Sequence, residues 1–249
     1  MFPELAKLAI APTFVAVVTL VARRMGPAAA GFLAGLPMVA APILGLLIAA
    51  HGNAFGTISA LGTAIGTAAT MLFALVYACL APRLAPLPCL LSSYAAYFVA
   101  AGVSTFIPVT WPFAIAVPVI TWVLVLRVFP NVDAPLRALP APAWDIPVRV
   151  TATFTLVALV TLLARYAGPE LAGLVTPIPI ITAVLSVFSH SQGGPAFSAV
   201  LLRALVRGLV TFVSFFWLAA VLLPHLHAAY VLSFGALGCL LLHGALSKL

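Results

Sequence analysis

The chain has 249 residues, 65% of them hydrophobic and 6% charged, with a mean hydropathy of +1.27. A soluble domain solvates itself with roughly 25% charged residues, so this composition excludes one and much of the surface must face lipid. The net charge of +7 fits basic residues that set membrane orientation from short loops, and no basic stretch interleaved with aromatics points to nucleic acid.

The first apolar run ends in Arg23 and Arg24, where a cleaved signal peptide would need small residues, so a retained first span is expected. Apolar runs predict a polytopic all-α bundle of about nine spans, near 5–22, 28–50, 54–81, 87–107, 111–128, 147–165, 170–190, 198–223 and 228–247. The division of 87–128 around "IPVTWP" is the least marked boundary. The proline-rich stretch 130–149 holds Asp133 and Asp145 and reads as a linker loop. With nine spans, Arg23, Arg24, Arg83, Arg127, Arg137, Arg149, Arg203, Arg207 and Lys248 share one side, against Lys7 and Arg165. That asymmetry predicts an N-terminus outside and a C-terminus in the cytoplasm. Cys79, Cys89 and Cys239 are too scattered for a disulfide framework or a zinc site and read as small buried hydrophobes.

The sequence repeats itself. "TFVAVVTLVARRMGPAAAG" (13–31) aligns with "TLVALVTLLARYAGPELAG" (155–173), with Gly26 on Gly168, a shift of 142. The same shift pairs Pro37 with Pro179, Gly52 with Gly194 and Gly66 with Gly208. The expected organisation is a four-span unit in 1–110, a linker span and cytoplasmic loop in 111–146, and a second four-span unit in 147–249. One intervening span turns the second unit over, giving inverted repeats as in secondary transporters.

Prolines interrupt matching places. "GLPMVAAP" carries Pro37 and Pro42 in the second span, and "TPIPIIT" carries Pro177 and Pro179, preceded by Thr176, in the seventh. Proline removes a helical hydrogen bond, and the freed backbone groups are costly in hydrocarbon unless something satisfies them. The breaks serve either as kinks or as a solute site. Thr182, Ser186, Ser189 and His190 form a polar stripe beside the second break, suited either to a substrate pathway or to interhelical hydrogen bonding. Ser59, Thr63, Thr67 and Thr70 share a face of the third span with Gly62 and Gly66, a G-x-x-x-G; this face serves close helix packing or a solute pathway, and could also support a homodimer. Arg203, Arg207 and Thr211 share a face of the eighth span; the arginines either snorkel or line a cytoplasmic vestibule for anions. His51 and His190 stand at span ends, where each is an interfacial hydrogen-bonding residue or a carrier of a coupling proton. His225 and His227 make a weak metal motif, and no metal is expected.

All four carboxylates, Glu4, Asp133, Asp145 and Glu170, fall at span ends or in loops, which argues against carboxylate-driven proton antiport. No phosphate loop, dinucleotide fingerprint, zinc-protease motif or nucleophile elbow occurs, so no cofactor and no enzymatic activity are expected.

"LAGLVTPIP" (171–179), followed by an apolar run to "SQGGPAFSAVLLRALVRG" (191–208), resembles small four-span bacterial inner-membrane proteins of the GlpM-like type. "AAGFLAGLP" in the first unit resembles them more faintly. The resemblance implies an inner-membrane setting and supplies no catalytic residues. The duplicated layout also looks like that of drug/metabolite exporters, as an analogy of architecture. Three readings follow: a transporter or exporter of a small, anionic or amphipathic solute; a lipid flippase or scramblase; and a non-transporting scaffold. The expected partners are the bilayer and a small-molecule or lipid substrate.

Overall fold

A computed structural model describes residues 2–131, 142–166 and 179–246, with side chains for 10–131, 142–159 and 179–245. The described residues form eight helices and no strand: α1 (Phe2–Met25), α2 (Pro27–Ala34), α3 (Ala40–Leu80), α4 (Pro86–Ser104), α5 (Trp111–Val128), α6 (Asp145–Tyr166), α7 (Ile180–Leu222) and α8 (Ala228–Leu246). Five of them, α3, α4, α5, α7 and α8, are long and apolar enough to cross a membrane. The all-helical expectation holds, and "IPVTWP" separates two helices, α4 and α5.

α3 and α7 have 41 and 43 residues, about twice the length a bilayer needs. Each doubles back at a glycine. Gly52 has φ 85° and ψ 173°, and Gly194 has φ 81° and ψ 179°. This region of backbone space is essentially closed to residues with a Cβ. The turn at Gly52 is sharp: a Cβ on Gly56 would lie 2.5 Å from Ile48 Cγ1. In a continuous helix, residues eight apart are separated by about 12 Å along the axis. Replacing Gly52 or Gly194 by alanine is therefore expected to cost about 1–3 kcal/mol, read as a lower melting temperature in detergent, although neither site lacks space for a methyl group.

Element bounds recur at the shift found in the sequence. α3 and α7 end at Leu80 and Leu222, α4 and α8 run 86–104 and 228–246, and the two turns fall at 52 and 194. α3 and α7 form the centre of the bundle. Over its most apolar window each is 56% buried, against 17–22% for α4, α5 and α8, which turn Leu91, Val99, Ile120, Leu124 and Leu240 outward. Indole nitrogens tie α5 to α7: Trp122 Nε1 donates to Val206 O at 2.9 Å, and Trp217 Nε1 to Ala114 O at 2.8 Å.

The core lies in two halves. One surrounds Phe73, Tyr77, Tyr97, Leu201 and Leu205; the other surrounds Ile48, Leu61, Phe215, Phe216 and Leu223. Asn53 Nδ2 donates to Leu223 O at 2.8 Å, which joins the Gly52 turn to the α7–α8 connection at one end of the bundle. Arg23, Asp145 and Gln192 meet at the other end. Arg24, Arg83, Arg127 and Arg149 also fall at that end by their places on the helices, and Arg203 lies toward it.

The close packing expected at Gly62 and Gly66 has no partner among the described residues, and 167–178, which the repeat pairs with 25–36, lie outside them. A Cβ at either would meet nothing within 4 Å among the described residues. A close approach is made by Gly31 of α2 and Gly35 at its C-cap, which back onto Leu201 and Gly208 of α7; a Cβ on Gly35 would lie 2.5 Å from the Gly208 carbonyl carbon. The cysteine expectation is corrected: Cys89 and Cys239 are buried, but Cys79 is exposed on the outer face of α3.

Candidate functional site

The helix break foreseen at "GLPMVAAP" is present. α2 stops at Ala34 and the chain becomes helical again at Ala40. Gly35 and Leu36 turn tightly, donating to Phe32 O and Leu33 O at 3.0 Å. Pro37 is buried within the break. Pro42 is exposed in the first turn of α3, where a helix has no hydrogen bond for proline to remove. The break sits between the two core halves: Leu33 and Phe212 pack against both. In the second unit Pro179 is buried and precedes the first residue of α7, while Thr176 and Pro177 lie outside the described residues.

A histidine that carried no expectation from sequence stands at this break. His243 of α8 stacks on Phe32 of α2 with ring centroids 3.9 Å apart, and its Nδ1 lies 3.4 Å from Thr211 Oγ1. Thr211 is fully buried and donates to Gly208 O, and Cys239 Sγ approaches Thr211 O at 3.2 Å. The signal available in sequence was an ionisable residue within the apolar run 228–247.

The stripe on α7 is buried as a unit: Thr182, Ser186, Ser189 and His190 are each at most 8% exposed. Ser186 donates to Thr182 O at 2.6 Å and Ser189 to Ser186 O at 3.0 Å, so both hydroxyls are engaged on their own helix. His190 Nδ1 lies 3.4 Å from Tyr77 Oη. On α3, Thr63 and Thr67 likewise donate to Ser59 O and Thr63 O. His51 is exposed and rests against Phe55 at 4.7 Å. His227 Nδ1 accepts from Ala229 N at 3.3 Å, so it caps α8.

Asp145 departs from the loop position read in the sequence. It is the first residue of α6 and fully buried. Arg23 Nη2 donates to Oδ2 at 2.9 Å, and Arg149 Nε, one turn along α6, donates to Oδ1 at 2.6 Å. Gln192, beside the Gly194 turn, donates to Oδ1 and accepts from Arg149 Nη2 at 2.9 Å. The Arg149 guanidinium lies 4.8 Å from the Phe188 ring centroid. α1, α6 and the α7 turn are thus clamped at one end. With Thr19 and Ser189 these groups line a cavity of about 40 Å³. Two arginines against one carboxylate leave an excess positive charge among the described residues, where Arg23 Nε has no hydrogen-bond partner. The repeat alignment does not reveal this network, because Asp145 and Gln192 correspond to Pro3 and Ala50.

Burial alone would raise the Asp145 pKa, but hydrogen bonds from Arg149 and Gln192, the charge of Arg149 and the hydrogen bond from Arg23 hold it below the ordinary value. The folded value is below the unfolded one, so the stabilisation is complete above the unfolded pKa near 3.9 and is lost as pH falls through the folded value. Melting in detergent between pH 7 and pH 3 is expected to weaken only below about pH 4. Asp145→Asn should flatten that acid limb.

Compared with family models, curated proteins and solved structures, the chain matches none.

Proposed function

We propose that the chain is a secondary transporter or exporter of a small solute, anionic or amphipathic, working by alternating access. The observation that carries this reading is the interruption between Ala34 and Ala40, placed between two separately packed core halves. A membrane protein tolerates non-helical backbone at depth where it is enclosed by protein or lines a cavity, and interrupted helices are where transporters hold solutes. Thr211 and His243 add polar atoms beside it.

Several features support nine crossings in two inverted units. The turns at Gly52 and Gly194 divide α3 and α7 into four segments, and helix bounds recur at the shift of 142. The clustering of basic side chains at one end supports a cytoplasmic location for that end, in a bacterial inner membrane. On this reading, the Arg23–Asp145–Arg149–Gln192 network is the closed gate on the cytoplasmic side, and its excess positive charge favours an acidic group on the solute.

Reconstitution into liposomes tests the proposal, with a panel of labelled water-soluble acids in one arm and labelled phospholipid in the other. Protein-dependent flux of an acid is expected, and Thr211→Val and His243→Phe should abolish it while leaving insertion intact. Lipid movement alone would favour a flippase, and no flux in either arm would favour a scaffold.

A further inference from the structure

A second polar recess lies beyond the α1–α2 turn. Arg203 and Arg207, one turn apart on α7, line a cavity of about 90 Å³ with Ala28, Pro130, Val200 and Ala204. Arg203 Nη1 donates to Asn131 Oδ1 at 2.6 Å, which holds the guanidinium in place. Its Nε–H is shut off from solvent and has no partner among the described residues, a costly state for a donor on a charged group. Arg207 is exposed, and neither arginine has an acidic partner among the described residues. The remaining described walls are small and apolar, so no described residue inside the recess offsets the two positive charges.

The start of α2 adds to this field. Its N-cap, Gly26, makes no side-chain hydrogen bond, and Ala28 of the first turn faces the cavity. Helix N-termini favour anions through their free N–H groups and partial positive charge. Leu61 and Ile65 occupy the equivalent positions in the first unit, so the duplicated scaffold does not require the arginines. Met25 and Val128, at neighbouring helix ends, are 72% and 64% exposed, as suits a site bordered by acyl chains.

We infer that this recess binds a phosphate group, carried by an anionic phospholipid or free in water. The guanidinium groups of Arg203 and Arg207, which line the recess, supply the charge-assisted hydrogen bonds. This site stands whether or not the chain moves a solute.

The test uses the full chain in detergent. Native mass spectrometry measures retention of dioleoyl phosphatidylglycerol against dioleoyl phosphatidylcholine, and thermal unfolding compares inorganic phosphate with chloride. Phosphatidylglycerol is expected to bind preferentially and to be retained about tenfold less in Arg203→Gln and in Arg207→Gln, while Arg83→Gln, an exposed arginine outside the recess, has no effect. Arginine-dependent stabilisation by inorganic phosphate without a lipid preference would support the phosphate site and assign it to the free anion. Unchanged retention in both variants, with no phosphate effect, would overturn the inference. So would phosphate binding seen only after Asp133→Asn, because the recess would then belong to the chain's own carboxylate.

Discussion

Asp145→Ala is expected to lower stability by about 3–5 kcal/mol, the usual consequence of removing one partner from a buried ion pair. The alanine leaves Arg149, only 5% exposed, without a counter-charge. It also leaves Gln192 and Arg23 without their carboxylate acceptor. The variant should melt well below the wild type in detergent at pH 7. Asp145→Leu combined with Arg149→Leu should recover most of the loss, because it removes the buried unpaired charge and leaves only Arg23, whose side chain is 30% exposed to water. An Asp145→Ala chain that melts with the wild type would mean that water, not Asp145, satisfies Arg149.

The second large effect is expected at Gly208. A Cβ there would collide with Phe32 O and lie 3.2 Å from Gly35 Cα, both backbone atoms that cannot rotate away. Gly208→Ala should cost about 1–3 kcal/mol, and Gly208→Leu more, by prising α2 from α7. Gly62→Ala is the matched control: it meets nothing within 4 Å among the described residues and should be neutral or slightly stabilising, since alanine favours helix over glycine by about 1 kcal/mol. Thermal unfolding of the three variants decides the matter. Equal costs at 62 and 208 would contradict the packing.

These two sites also separate what sequence could and could not reveal. Helix positions followed from apolar run length, and the break at Pro37 followed from proline chemistry; both are local properties of the chain. The turns at Gly52 and Gly194 were visible as paired glycines between predicted spans. What meets Gly31 and Gly35 was not visible, because Leu201 and Gly208 come from a helix far along the chain. Asp145 read as a loop residue because its partners, Arg23 and Gln192, are 122 and 47 residues away. His243 was passed over because its neighbours, Phe32 and Thr211, come from two other helices.

Alternating access past the Asp145 network is most directly tested by a cysteine at Ser186, in a chain whose three native cysteines are replaced by alanine. Ser186 is fully buried on α7, between the break and the charged end. Membrane-impermeant thiol reagent would be applied separately to each face of oriented vesicles, with and without Asp145→Asn. Alternating access predicts that the substitution increases labelling from the Arg23 end and decreases it from the opposite end by a comparable factor. Labelling unchanged at both faces, or raised at both together, would contradict it.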